Sequence, residues 1–407
     1  MRINDTAHLC GYFSNKSSEA FDPMALQPDF WNPVLCTQKE LQDAKNFYYP
    51  EFAEFMMNEV NVYSHQYNMD VNLKFRDGRD HAIHLDELRL YCFPFGVVMY
   101  SIKVFQNDVP MQDALDALFM LRNLPFMQRQ SMEEYMSLVI DPLTDLNKKA
   151  GNPGDVCSLV ECGNKQKLFH SVLLNEKPKD SQEFDHLLYG AGTLGMYKED
   201  DPKGFSKEYY AGIMASSRLS VFNSWQAMSL LDIFTIVAHD VPEYMLKVWD
   251  QDYFGMMYVY TLFKKFFLFR INGDFRSDEK NFSSVRKNLT TFEKSYEFPR
   301  IVYNFLPELL LNSMEKGLDV LDEKQKLAEI INRENQRRET ETGDKMNLFL
   351  GMITCLTLFS AIWDFACLMD GVFEFSANIG TVTGVRACTM ALIALVCILM
   401  LIVRRKK

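Results

Sequence analysis

The feature that most constrains this chain is a run of 24 residues near its C-terminus, Met346 to Met369 (MNLFLGMITCLTLFSAIWDFACLM), with a single charge at Asp364. As a helix it measures about 36 Å, enough to cross the hydrocarbon core of a bilayer with some tilt. A second run, Ala387 to Val403 (ACTMALIALVCILMLIV), has 17 residues and no charge. It reaches spanning length when its helix extends back to Val385. The sequence therefore predicts two transmembrane helices, 346–369 and 385–403. The alternative, two helices buried in a soluble domain, requires helices that are apolar on every face.

The flanks set an orientation. Arg333, Arg337, Arg338 and Lys345 precede the first run and Arg404-Arg405-Lys406-Lys407 close the chain, while Asp370 and Glu374 lie between the runs. Positive flanks stay in the cytoplasm, so both termini are expected there, with a 370–384 loop outside and a basic cytosolic tail at 404–407. Residues 1–345 carry 38 Lys/Arg against 51 Asp/Glu. Such an acidic body repels a phosphate backbone at long range, and no direct nucleic-acid binding is expected. Nine cysteines lie singly with no CxxC pair, which reads as reduced thiols in the body and small apolar residues in the tail. The N-terminus, MRINDTAHLCGYF, has no basic patch leading into an apolar run, so export of the body is not expected.

The body reads as an α+β domain. Residues 1–70 form an N-terminal helical segment, with Thr37–Asn61 as one or two helices broken at Pro50. An α/β part follows over 71–225. There Val71–Arg76 alternates before the turn signal Asp77-Gly78, and LYCF (90–93), Pro94-Phe95-Gly96 and VVMYSIKVF (97–105) read as a hairpin. MQDALDALFMLRNL, from Met111, reads as a helix on that sheet, 142–165 as loop around a short strand, KLFHSVLL (167–174) as a strand, and RLSVFNSW (218–225) as the last strand. Residues 226–307 read as helical. Within them Tyr253–Ile271 is apolar nearly all round, yet Lys264-Lys265 in its middle argue for a helix buried in protein rather than a third span. From Glu308 a stripe of Leu310, Met314, Leu318, Leu321, Ala328 and Ile331 suits helix association in an oligomer. With no proline after Pro307, a stalk helix over 308–345 is expected to run without a break into the first span.

This plan of acidic cytosolic domain, long stalk helix, membrane helix, short outer loop, second membrane helix and basic tail resembles the CorA magnesium transporter superfamily. The resemblance covers residues 70–407 and is best carried by 308–407. It departs at the family's most specific motif: where Gly-Met-Asn would end the first span, the chain has Met369-Asp370-Gly371, preceded by Trp363-Asp364. The resemblance implies a homo-oligomer, a pentamer, in a bacterial inner membrane, whose first spans line a pore for magnesium or another divalent cation. At about 100° per residue, Asn347, Thr354, Thr357 and Asp364 fall in one arc of about 100°, with Ser360 just outside. Asp370, Gly371 and Glu374 would stand at the pore mouth. The alternative for the stripe is that Thr and Ser bond back to their own helix while Asp364 reaches the outer headgroups. The chain is also similar to the CorA-like membrane effectors of type III CRISPR defence, which lack a standard Gly-Met-Asn and respond to a nucleotide messenger.

Other motifs carry less. Gly190-Ala191-Gly192-Thr193-Leu194-Gly195 fits a GxGxxG pattern and is the best ligand-loop candidate in the sequence, although no βαβ unit surrounds it. His81 and His84 with Asp80, Asp86 and Glu87 match no zinc spacing, and neither do Cys157 and Cys162 with His170. No GxSxG, HExxH, Walker or kinase signature occurs, so no enzyme is expected, and no covalent cofactor. Three functions stay open on the sequence: a divalent-cation channel or transporter gated by its cytosolic domain, a nucleotide-gated antiviral effector, and a non-conducting membrane-anchored scaffold.

Overall fold

The computed structural model describes residues 1–16, 21–154, 156, 165–196, 205–277 and 282–372. The expectations for Glu374, most of the outer loop, the span at 385–403 and the basic tail lie outside the described residues. By its contacts the chain divides into two units, Met1–Ala328 and Glu329–Lys407.

The first unit is built on a mixed sheet of β1 (Arg2–Ser14), β2 (Asn32–Val34), β3 (Asn61–Lys74), β4 (Asp80–Phe93), β5 (Val97–Pro110), β6 (Lys167–Leu174), β7 (Arg218–Leu219), β8 (Trp225–Leu230) and β9 (Ile233–Ala238). The spatial order is β2-β3-β4-β5-β1-β6-β9-β8-β7. Only the β6–β9 pair is parallel among these neighbours. Short helices α1 (Pro23–Leu26), α2 (Gln38–Ala44) and α3 (Pro50–Glu54) precede β3, and α4 (Met111–Arg122), α5 (Glu133–Tyr135) and α6 (Asp141–Lys149) follow β5. Then come α7 (Ser181–Thr193), α8 (Lys207–Ser217), α9 (Glu243–Lys247), α10 (Val259–Ser277), α11 (Phe282–Ser295), α12 (Phe305–Gly317) and α13 (Val320–Val372).

Strand alternation explains the layers. On β1, Ala7, Leu9 and Phe13 join a core with Ile102, Val104, Leu115 and Leu118, beneath α4. The residues between them face the other way, where the His8 ring stacks on Phe254 at 3.6 Å and Tyr12 on Phe266 at 4.5 Å. Helices therefore cover both faces, and a central strand such as β1 has almost no exposed residue from Ala7 to Phe13. The hairpin expected over 90–105 is present as β4–β5, and the turn signal at Asp77-Gly78 joins β3 to β4 in another. Gly78 supplies the left-handed conformation of the first turn at φ +86, and Arg79 N donates to Asp77 Oδ1 at 3.0 Å.

Four expectations are corrected. The 1–70 segment is not helical throughout: it contributes β1, β2 and most of β3, with helix confined to short pieces, of which α2 and α3 keep the break before Pro50. Residues 226–307 open with the β8–β9 hairpin rather than helix. Its two-residue turn, Leu231-Asp232, has neither Gly nor Asn. Leu231 sits at φ +49, and Asp232 is held by Arg122 at 3.0 Å and by Lys167. The 142–165 segment begins inside α6 rather than as loop.

The stalk does not run unbroken from Glu308. Helix α12 ends at Gly317, where a Cβ would fall 2.0 Å from Ser229 Oγ on β8, so the helix docks there by its bare backbone. Asp319 then takes φ +54 and α13 starts at Val320. Leu310, Met314 and Leu318 are accordingly buried within the first unit instead of facing another copy, whereas Leu321 is exposed.

In the second unit α13 continues to Val372, so Asp370 and Gly371 extend the helix rather than open a loop. Its charged part is laced by Arg338–Glu334 at 2.9 Å and Arg337–Glu341 at 3.2 Å, pairs one turn apart. Between Met346 and Phe365 no side chain is buried. Among the described residues α13 is the one helix long and apolar enough to cross a membrane.

Candidate functional site

The site with the clearest design lies where α13 begins. Helix α10 is a core element, its Phe263 stacked on Phe93 at 4.3 Å and Phe267 on Phe292 at 4.1 Å. Two adjacent lysines interrupt it, Lys264 and Lys265, only 7% and 6% exposed. Burying an unpaired ammonium costs several kcal/mol, so each must find a carboxylate. Lys264 donates to Glu315 of α12 and lies 4.7 Å from the centre of the Tyr260 ring. Lys265, about 100° further round the helix, donates to Glu323 in the first turn of α13 at 2.6 Å and lies over Phe269. A carboxylate in that turn also suits the helix dipole. From α13 itself, Lys324 reaches back to Glu297 at 2.6 Å and Glu293 at 3.7 Å. Four ion pairs thus fix α12 and the first turn of α13 onto α10, the last turn of α11 and Glu297 just beyond it. The two lysines that argued against a span in α10 are thus each paired inside the protein, and Lys265 ties α10 to α13.

Beside these pairs opens a cavity of about 420 Å³. It is bounded by α10, α11, the 298–302 segment, α12 and the start of α13, with Lys264, Glu315 and Lys324 among its walls.

A second buried polar cluster sits beneath a π-helix, Val248–Tyr258, that runs into α10. The wider turn carries Asp250 over the sheet, where it accepts from His8 Nε2 at 2.6 Å and from Lys103 Nζ at 3.0 Å. Ser101 Oγ lies 3.4 Å from His8 Nδ1 and donates to it, so a neutral His8 with its proton on Nε2 satisfies both partners. Burial lowers the His8 pKa despite the carboxylate beside it. Burial alone would raise Asp250, but the hydrogen bond from His8 and the Lys103 charge outweigh it and hold the carboxyl well below its usual range. Nothing in the sequence around Asp250 singles it out. Its partners lie 147 and 242 positions away, so no local signal marked it.

The glycine motif is not a phosphate loop. Gly190 and Gly192 lie in the last turns of α7 and Gly195 just beyond it. A helix C-terminus presents carbonyls and negative dipole, the reverse of what a phosphate requires. Gly192 instead lets α7 approach β8, where a Cβ would meet Met228 Sδ at 2.4 Å. His81 bonds to Gln106 and His84 to Asp70, each at 2.7 Å, and no cluster of three or more His, Cys, Asp or Glu able to hold a metal exists among the described residues. His170 is buried between Asp5, Thr235 and the Ala191 carbonyl. Cys157 and Cys162 lie outside the described residues.

The polar stripe is exposed on α13 as one face: Asn347, Thr354, Thr357, Ser360 and Asp364. Thr354 Oγ1 donates to the Leu350 carbonyl at 2.8 Å and Thr357 Oγ1 to the Thr354 carbonyl at 2.9 Å. This back-bonding is the alternative foreseen for these residues. It does not close the face to ions, because a hydroxyl that spends its proton on the backbone keeps its oxygen lone pairs as acceptors. Asp370 and Gly371 lie one to two turns further along the helix, and Glu374 is outside the described residues. No family model matches the chain, and neither does any curated protein or solved structure compared with it.

Proposed function

We propose that the chain is a membrane protein in which the α/β unit receives a signal in the cytosol and transmits it along α13 to a cation path lined by several copies of that helix. The observation that carries this reading is α13 itself, whose first turn is tied to the folded unit by Lys265–Glu323 and Lys324–Glu297 and which continues into the apolar segment. A shift of α10 or α12 therefore bears directly on the helix that crosses the bilayer.

The oxygen-bearing face supports conduction by an oligomer. A carboxylate in lipid costs about 2.5–3.5 kcal/mol at the helix centre, and neighbouring copies that turn this face inward remove the cost. Amide, hydroxyl and carboxylate oxygens are the ligands hard cations prefer, which favours a divalent ion such as magnesium. The bases before Met346 support a cytoplasmic side for the sheet unit. We retain a pentamer in a bacterial inner membrane, with Ala387–Val403 as a second span, as part of this proposal.

The test is ion flux from liposomes loaded with magnesium, with candidate nucleotides added at the cytosolic face. Flux that falls on Asp364→Ala supports the cation path. Flux only with a nucleotide assigns the chain to signalling, and an intact oligomer with no flux under either condition overturns conduction in favour of a scaffold.

A further inference from the structure

The 420 Å³ cavity at the start of α13 has chemistry that the ion pairs do not use. That volume is within the range of sites that enclose a small organic ligand. Two of its charge pairs are complete in themselves, Lys264 with Glu315 and Lys324 with Glu297. Arg300 and Glu308 also line it, and among the described residues neither side chain has a hydrogen-bond or ion-pair partner. Phe292, Phe298 and Leu311 give the same cavity an apolar wall.

A lone guanidinium and a lone carboxylate at the rim of one cavity with an apolar wall match a zwitterion with an apolar body. A simple anion would satisfy Arg300 and face Glu308 and Glu293 as like charges. A simple cation would do the reverse and leave Arg300 without a counter-charge. We propose that the cavity binds a free α-amino acid with an apolar side chain, its carboxylate on Arg300 and its ammonium on Glu308. The planar guanidinium accommodates a carboxylate through two parallel hydrogen bonds, which a lysine there would not. Val320 and Lys324 of α13 line the cavity too, so occupancy bears on the first turn of that helix. This last link rests on the function proposed above, whereas binding itself does not.

The experiment is calorimetric titration of the full chain in detergent with L-phenylalanine, phenethylamine, which lacks the carboxylate, and 3-phenylpropionate, which lacks the ammonium. L-Phenylalanine should bind at least about tenfold tighter than either analogue, a difference of roughly 1.4 kcal/mol for each lost charge. Arg300→Gln should weaken L-phenylalanine by about the same factor and leave phenethylamine unchanged, and Glu308→Gln should do the converse with 3-phenylpropionate. Both positions are exposed, so the variants are expected to melt with the parent protein. No binding of L-phenylalanine or L-leucine up to roughly 10 mM, equal binding of the analogues, or indifference to both substitutions would overturn the assignment. Adding the amino acid to the liposome assay separates the two claims: binding without any change in flux leaves the site standing and removes its link to gating.

Discussion

Replacing Glu315 by leucine leaves the ammonium of Lys264 buried and alone. Both side chains are about nine-tenths buried, at 9% and 11% exposure, so the orphan is solvated only on the side that faces the neighbouring cavity. Breaking a buried pair from one side typically costs about 3–5 kcal/mol. Unfolding entropy near 2.1 cal/mol/K per residue gives roughly 0.7 kcal/mol/K for residues 1–328. The expected fall in Tm is therefore about 4–7 °C. The double variant Lys264→Met, Glu315→Leu should recover most of it, because two apolar chains of similar volume remove the desolvation penalty together with the attraction. Differential scanning fluorimetry of the four proteins in one detergent measures the cycle. A Glu315→Leu protein that melts within a degree of the parent, or a double variant no better than the worse single one, would refute the reasoning that this pair is desolvated and mutually dependent.

Three further outcomes follow from the geometry. Because burial lowers the His8 pKa, the unfolded chain takes up a proton near its ordinary value of 6.5 before the folded one does, so stability present above that pH declines as pH falls below it; in His8→Gln the decline measured by urea titration should be shallower, and an unchanged slope would contradict a buried neutral imidazole. Asp250 has a folded pKa below the unfolded value, so its contribution is present above about pH 4 and lost on further acidification. Asp250→Asn should therefore be less stable than the parent at pH 7, by a gap that begins to narrow below about pH 4 and keeps narrowing on further acidification, and a constant gap would argue against the ionised carboxylate. Gly317→Ala places a methyl 2.0 Å from Ser229 Oγ and 3.1 Å from its carbonyl carbon, and overpacking of this kind should cost about 1–3 kcal/mol, read as a lower urea midpoint and partly rescued by Ser229→Gly.

Legibility in the sequence followed how local the determinants were. The β3–β4 turn was readable because Asp77-Gly78 holds its own conformation, with Gly78 at positive φ. The β8–β9 turn was not, since Leu231-Asp232 owes its shape to Arg122 and Lys167, brought in from other elements. Strand β1 escaped for the same reason: its Asp5 and His8 are buried through His170 and Asp250, which other elements bring to them. The GxGxxG pattern failed because small residues serve a close helix–strand approach as readily as a phosphate. The stripe from Leu310 was correctly apolar but wrongly assigned to another copy, since periodicity reports that a face is buried and not which chain buries it. The apolar run of α13 needed no partner to be recognised, and its polar face was legible from spacing alone. The junction pairs at Lys264 and Lys265 were visible only as charges out of place.

The central claim is that the face of α13 holding Thr357 and Asp364 meets water in the assembled protein while the opposite face meets lipid. The direct measurement is labelling, by a charged membrane-impermeant thiol reagent, of single cysteines in proteoliposomes of a variant whose native cysteines are replaced. Thr357→Cys and Asp364→Cys should be modified, and Leu348→Cys and Phe359→Cys, roughly 140–180° round the helix from them, should not. Equal labelling of the two faces, or labelling only of the latter pair, would contradict an aqueous path along α13.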